Sequence, residues 1–296
     1  MEKPKIGFIG TGIMGKPMAK NLIDAGYKLV VYDINQDAVT ELMNYGAETA
    51  NSPKEVAQKA EVIITMLPDS FQVKEVALGD KGLIEGVKND QIYIDMSSIE
   101  PLIAKKVAEK LGEKGVKTLD APVSGGQQGA IEGTLTIMVG GPEEVFGQCR
   151  EIFGVLGKSA VRMGEIGSGQ ITKLLNQIIV AINIAAMSEA FILGKKAEVD
   201  PRNIYTAIRG GLAGSNVLDA KVHLVMDRKF EPGFRIDLHI KDLCNALNTG
   251  HELNVPLPLT SLVMEMMQAL KVEGCGHLDH GALALFYEKM ANIKIE

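Results

Sequence analysis

Apolar positions follow two regimes along this chain. Up to about residue 165, short runs rich in Val and Ile alternate with segments whose apolar residues recur every three to four positions. Beyond that point the short runs stop and only the helical period continues. The first regime predicts strands at 5–10, 28–33, 61–70, 91–101, 115–126, 133–141 and 159–164. Helices are expected between them, from Gly15 to Gly26 and at 36–45, 53–59, 71–77, 101–114 and 142–156. Such alternation builds a mostly parallel sheet covered on both faces, with ligands beyond the carboxyl ends of its strands. The second regime predicts helices at 168–197, 201–209, 216–227, 235–254, 258–272 and 279–292. The expected architecture is therefore an α/β domain over residues 1–165 and an all-α domain over 166–296, joined by a long helix.

That long helix, within GSGQITKLLNQIIVAINIAAMSEAFILGKK at 167–196, carries the most information. Ser168 is placed to cap its N-terminus, and no proline follows until Pro201. Roughly 28 residues at ~1.5 Å each would reach about 40 Å, the width of a domain. Its middle is apolar nearly all round and calls for burial. Yet Lys173, Asn176 and Gln177, spaced i, i+3, i+4, put a lysine and two amides on one face near its start. The Met-rich SLVMEMMQAL at 261–270 reads as a further core helix.

Composition narrows the function. The 296 residues are 46% hydrophobic and 23% charged, an ordinary soluble balance. A net charge of −6 argues against nucleic-acid binding. Cys149, Cys244 and Cys275 have neither disulfide nor metal spacing and are expected to be reduced thiols in a cytoplasmic protein. A strand pattern beginning by Lys5 leaves no room for a targeting peptide. The apolar run from Ile178 to Met187 is interrupted by Asn183, so no membrane span is expected.

The chemistry-bearing pattern opens the chain. Gly10, Gly12 and Gly15 form G-x-G-x-x-G between a strand and a helix, and a second strand ends in Asp33, 18 residues beyond the third glycine. In that context the spacing predicts a dinucleotide site. Gly10 makes the tight turn, Gly12 lets a pyrophosphate reach the backbone, and Gly15 lets helix and strand pack closely. The phosphates sit on the helix N-terminus. A carboxylate at Asp33 accepts a ribose diol and repels a 2′-phosphate, and Ile34 stands where an NADP binder would place an arginine. NAD is therefore favoured, with NADP possible. Asp33 also suits a cap for the next helix.

A nicotinamide enzyme needs few groups of its own: a proton donor at the carbonyl oxygen and holders for the rest of the substrate. Lys173 fits the donor and Asn176 can orient substrate. Ser124, Gly125 and Gly126 can offer a hydroxyl and successive N–H groups to a carboxylate. Lys241 is a possible second cation, though spacing alone favours a solvated lysine paired with Asp237. Among the histidines, His277 and His280 read as a polar loop and helix cap, and His223, His239 and His251 as isolated structural residues. No metal site is expected.

These residues carry a resemblance. GFIGTGIMGKPMAKNL (7–22), TMLPDS (65–70), DMSSIEP (95–101), DAPVSGGQQGAIEGTLTIMVGG (120–141), GSGQITKLLNQ (167–177) and GFRIDLHIKDL (233–243) occur in the order typical of the β-hydroxyacid dehydrogenases, which the chain resembles over both domains. The resemblance implies a Rossmann-type first domain and reduction of a small semialdehyde to a hydroxy acid. Lys173 becomes the acid/base, Asn176 a substrate contact, and Ser124, Gly125 and Gly126 the holders of the substrate carboxylate. Gly10, Thr11, Gly12, Ile13, Met14, Gly15, Asp33, Leu67, Pro68, Ser98 and Lys241 become the cofactor contacts, which reverses the spacing-only reading of Lys241. The segments at 184–190, 208–221 and 225–243 resemble most the members that reduce tartronate semialdehyde to D-glycerate. Action on 3-hydroxyisobutyrate or on succinic or glyoxylic semialdehyde is the alternative. The resemblance also implies a homodimer or homotetramer. A non-catalytic dinucleotide module or an imine reductase is disfavoured because Lys173 is present.

Overall fold

The computed structural model describes residues 3–296, which divide into two compact units, one ending at Lys173 and the other running from Leu174 to Glu296. Nine strands form one sheet in the first unit: β1 (Ile6–Ile9), β2 (Leu29–Tyr32), β3 (Glu48–Thr49), β4 (Val62–Thr65), β5 (Ile92–Asp95), β6 (Lys117–Asp120), β7 (Val123–Ser124), β8 (Leu135–Gly140) and β9 (Gly157–Gly164). Their order is β3-β2-β1-β4-β5-β6-β8-β7, with β9 also paired to β8. From β3 to β6 every pairing is parallel, whereas β8 runs antiparallel to β6 and β7. The chain steps from β2 and β3 on one side of β1 to β4 on the other, so the topological switch lies between β1 and β4, where sheets of this kind take their ligands.

Helices α1 (Gly15–Asp24), α2 (Gln36–Met43), α3 (Pro53–Lys59), α4 (Ser70–Leu78), α5 (Pro101–Gly112), α6 (Gly126–Glu132), α7 (Glu143–Gln148) and α8 (Arg150–Leu156) accompany the sheet. The strands are buried on both faces and divide their side chains by the period of two. Ile6, Phe8, Val62, Ile64, Ile92 and Ile94 join one core, and Ile9, Ile63 and Tyr93 the other. The two-residue strand β3 and helix α6 were not foreseen, and the expected helix at 142–156 is two helices that meet at Cys149.

The second unit is helical: most of α9 (Ser168–Lys196), then α10 (Pro201–Ile208), α11 (Asn216–Met226), α12 (Ile236–Glu252), α13 (Pro258–Val272) and α14 (Ala284–Ala291). Ala181, Ile184, Phe191, Leu218, Val222, Ile240, Val263 and Met267 belong to its core. By length and composition α9 is long and apolar enough to cross a membrane, its most apolar 18-residue stretch having a mean hydropathy of 1.7, so the interruption at Asn183 counts for less than expected. Within this fold that apolarity serves the core through Ala181, Ile184, Ala185, Met187, Phe191 and Ile192. The three cysteines are free thiols, and burial pushes that of Cys149 up to about 12.

Candidate functional site

The glycine-rich turn has the shape its spacing calls for. Gly10 adopts φ +92° at the end of β1, and a Cβ there would collide with the Met66 carbonyl oxygen. A Cβ on Gly15 would strike the Gly10 carbonyl oxygen, so only glycine lets α1 start this close to the strand. Gly12 is different: a Cβ there would meet nothing within 4 Å, so its main chain fronts open space. The first turn of α1 carries no side-chain cap and no acid. Its Lys16 and Met18 N–H groups bond Gly12 O and Met14 O and Pro17 has none, so the positive end of the helix dipole, not a row of spare N–H groups, is what this turn offers an anion.

Asp33 ties the second strand to this turn. Its Oδ2 accepts from the Thr11 main-chain N–H at 2.5 Å and from the Thr11 hydroxyl at 3.2 Å. Its Oδ1 accepts from the Asn35 N–H at 2.8 Å. The cap of α2 is Asn35, whose side chain accepts from Asp37 N, so the capping role foreseen for Asp33 falls to its neighbour. Oδ2 is filled by its two donors, while Oδ1, with one, keeps lone-pair capacity for a diol hydroxyl. Ile34 is 91% exposed and adds no cation.

Past the switch point, β4 ends at Thr65 and the loop after it carries Leu67, whose N–H donates to Ser97 Oγ at 2.9 Å, and then Pro68. Ser97 is set in turn by Asp95, whose Oδ1 accepts from Ser97 N at 3.1 Å and from the Thr65 hydroxyl at 2.8 Å. Burial pushes the Asp95 carboxyl up to about 6, against the lowering effect of those hydrogen bonds. Ser98, next in chain, is half-buried on the same loop. On the antiparallel side, Ser124 closes β7, and Gly125 (φ +132°) and Gly126 (φ +61°) open α6 without a side-chain cap. Positive φ at both glycines gives this loop a turn that other residues rarely adopt, at the place where the sequence leads one to expect a carboxylate nest.

Helix α9 starts against these strand ends. Its cap is not Ser168 but Asp120, at the end of β6: Oδ1 accepts from Gly167 N at 2.7 Å and Oδ2 from Gln170 N at 2.8 Å. A carboxylate meets the helix dipole better than a hydroxyl, and the sequence places it 47 residues away, beyond the reach of local pattern reading. Burial raises the Asp120 carboxyl and these N–H groups oppose the rise. Gly169 permits the approach, since a Cβ there would run into Met138 O and Asp120. Gln170, fully buried, donates to Ser97 O at 2.7 Å and accepts from Ile99 N at 3.0 Å. Lys173 lies one turn further on and is only 7% exposed.

The second unit carries its own polar chain. Asn176 Nδ2 donates to Gln177 Oε1 at 2.8 Å, and Gln177 Nε2 donates to Asp242 Oδ2 at 2.6 Å. Asp242 Oδ1 meets Lys241 Nζ at 3.1 Å. Lys241 is thus largely buried beside Asp242, and the solvated pair with Asp237 that its spacing suggested is not formed; Asp237 pairs with Lys271 at 3.2 Å. His239 is not isolated either. Its Nε2 lies 3.1 Å from Gln177 O, and its Nδ1 lies 2.9 Å from Nδ1 of His280. A carbonyl only accepts, so His239 donates from Nε2, and in a neutral pair His280 donates to His239. The loop reading holds for His277, whose Nδ1 meets Gly274 O, but not for His280. Among the described residues no group of three or more His, Cys, Asp or Glu could hold a metal. Two surface concavities, of about 420 Å³ beside Lys195 and Arg202 and about 350 Å³ beside Phe146 and Arg150, touch none of these residues.

Comparison with known proteins agrees with this geometry. Residues 5–165 match a family model described as the NAD binding domain of 6-phosphogluconate dehydrogenase. Residues 167–287 match one described as the NAD-binding domain of NADP-dependent 3-hydroxyisobutyrate dehydrogenase. The 2-hydroxy-3-oxopropionate reductase of Escherichia coli K12 is 44% identical over 291 residues, covering 98% of this chain and 99% of the relative. The chain belongs to the β-hydroxyacid dehydrogenase family. Among solved structures, 3-hydroxyisobutyrate dehydrogenase of Mycobacterium tuberculosis with L-serine superposes at a TM-score of 0.91, with 27% identity over 97% of this chain and 99% of that one. Psf3, solved with NADP+ and 2-OPP, shares the fold at a TM-score of 0.85 and 23% identity, covering 95% of this chain and 99% of that one.

This β-hydroxyacid dehydrogenase uses a nicotinamide dinucleotide, NAD(P), on a small-molecule substrate. The residues present fit that cofactor: open space at Gly12, an uncapped α1 N-terminus and a carboxylate at the end of β2. Reading the sequence singled out residues of the glycine turn, the strand-end loops and the start of α9. It marked Ser97 and Gln177 by position, but not the other polar residues that support these segments, Asp95, Asp120, Gln170 and Asp242. The local signal was faint for those four, except that buried polar residues inside otherwise apolar segments ask for partners.

Proposed function

We propose that this enzyme reduces tartronate semialdehyde (2-hydroxy-3-oxopropanoate) to D-glycerate, with Lys173 as general acid. The observation that carries the mechanism is the burial of Lys173 one turn beyond Gln170, in the same compact unit as the glycine turn and the Ser124–Gly126 nest. The reduced nicotinamide supplies a hydride to the carbonyl carbon. Lys173 Nζ stabilises the charge that develops on oxygen and delivers the proton that completes the alcohol. Ser124, Gly125 and Gly126 hold the substrate carboxylate through the Ser124 hydroxyl and main-chain N–H groups. Asn176, held by Gln177, orients the substrate without changing charge. The cofactor is held by Gly10, Thr11, Gly12, Ile13, Met14 and Gly15, with Asp33 on the adenosine ribose, Leu67, Pro68 and Ser98 along its length, and Lys241 near the nicotinamide.

The substrate is supported by near full-length identity to the E. coli reductase. The enzyme acts in the cytoplasm, away from membranes, as a homodimer or homotetramer; exposed Leu193, Leu212, Leu259 and Leu262 in the second unit offer apolar surface to such an assembly. The test is oxidation of NADH with tartronate semialdehyde, succinic semialdehyde and methylmalonate semialdehyde side by side. The first should turn over with by far the highest kcat/KM and yield D-glycerate. Preference for either of the others moves the substrate and leaves the Lys173 chemistry in place. NADH should be preferred over NADPH, and Asp33→Asn combined with Ile34→Arg should move the preference towards NADPH. An unchanged preference would reduce Asp33 to its bonds with Thr11 and Asn35.

A further inference from the structure

We infer that Gln170 is a positioning residue for hydride transfer, one that registers the catalytic lysine against the cofactor loop through Ser97. Three connections carry this. The side-chain amide of Gln170 is fully buried and makes two directional bonds to the loop after β5, Nε2 to Ser97 O at 2.7 Å and Ile99 N to Oε1 at 3.0 Å. The same Ser97 holds the cofactor loop, since its Oγ accepts from Leu67 N at 2.9 Å. The main-chain N–H of Gln170 is fastened to Asp120, which pins the first turn of α9 to the end of β6. Ser97 is therefore shared by two lines of support, one to Leu67 and one through Gln170 to a helix turn whose next member on that side is Lys173.

A helix start anchored only by its cap can still rotate or slide by fractions of an ångström. The Gln170 amide removes that freedom, because an N–H donor and a C=O acceptor on the loop must both be met. Hydride transfer with coupled protonation is sensitive to such displacements, and a misplacement of about 1 Å can cost ~10²-fold in rate. Gln170 touches neither reacting atom; it acts through Lys173 and Ser97. The inference rests on the reading of Lys173 as the acid.

The test is a double-mutant cycle with Gln170→Met and Lys173→Ala, assayed well below each variant's thermal midpoint. Gln170→Met keeps the side-chain length and removes both bonds. Its kcat should fall about 10- to 100-fold, while the Kd for NADH, set mainly at the glycine turn, changes less than about twofold. In the Lys173→Ala background the same substitution should change the rate less than about twofold, because there is no acid left to misplace. Ser97→Ala, which cuts the bond to Leu67 and the hydroxyl bond to Asp95 but leaves both Gln170 bonds in place, should raise the KM for NADH more than it lowers kcat. A Gln170→Met enzyme with normal kcat beside a crippled Lys173→Ala, or two effects that simply multiply, overturns the inference and leaves the Lys173 reading standing. A Lys173→Ala enzyme with normal kcat overturns that reading itself. If Gln170→Met does not fold, Gln170→Asn, which keeps both polar groups one methylene short, enters the cycle under the same requirement.

Discussion

In the first unit the buried carboxylates, Asp95 and Asp120, are held by hydroxyl and main-chain N–H donors from Thr65, Ser97, Gly167 and Gln170. In the second, Asp242, Asp279 and Glu288 each meet a lysine or arginine: Lys241 at 3.1 Å, Lys221 at 2.9 Å and Arg228 at 2.5 Å. The fold explains the difference. Where parallel strands end and loops begin, N–H groups leave the ladder and can turn towards an acid, so a sheet edge can hold a carboxylate without a cation. Inside a helix nearly every N–H is already spent on the residue four back, so the helical unit adds side-chain cations to the few loop N–H groups that reach Asp279 and Glu288. The strand ends thereby hold their buried acids without a cation, while the helical unit sets cations against Asp242, Asp279 and Glu288.

That contrast breaks first if the cations are exchanged in role. Lys173→Ala should lower kcat by ~10²–10⁴-fold and leave NADH binding and the unfolding midpoint nearly unchanged, as read by stopped-flow turnover, fluorescence titration and thermal melts. A near-normal rate would remove Lys173 from the chemistry. Lys221→Met should do the reverse. It strands Asp279, which is fully buried and also accepts from Gly233, Phe234 and Gly281. Losing one partner of a buried pair costs ~3–5 kcal/mol, so the urea midpoint should fall sharply while the folded fraction retains normal kcat. A loss of rate without a loss of stability would reverse the assignment of roles between the two units.

What could be read in advance follows the same division. The alternation of strand and helix, the helical second half and the ligand-facing residues rest on local pattern: period, glycine spacing, and an acid at a strand end. The order of β7, β8 and β9 does not, because antiparallel return of β8 depends on pairing between distant segments. The cap of α9 was misassigned to Ser168 for that reason; nothing near Ser168 announces that Asp120 occupies the position. Lys241 and Asp237 illustrate the limit from the other side. An i−4 spacing allows an ion pair, but which partner a lysine takes depends on what packs beside it, here Asp242. His239 and His280, 41 residues apart, could not be paired by any periodicity.

The smallest predicted effect sharpens the contrast most, because it asks what a carboxylate held without a cation costs. Asp95 has one oxygen accepting from Thr65 and Ser97, while its Oδ2 has no hydrogen-bond partner. Unfolded, the group ionises near ~3.9; folded, burial pushes it up to about 6. Between those values the folded chain keeps a proton that the unfolded chain has released. Its contribution to stability is therefore full below pH ~4 and declines as pH rises to about 6, by roughly 2–3 kcal/mol. Asp95→Asn has no proton to lose. Urea unfolding at pH 4.5 and pH 7.5 should show the variant gaining on the wild type by most of that amount at the higher pH. Equal differences at the two pH values would mean that the neighbouring hydroxyl and N–H donors compensate the buried charge in full. A relative loss at pH 7.5 would mean that the sheet edge favours the carboxylate outright, as a cation would.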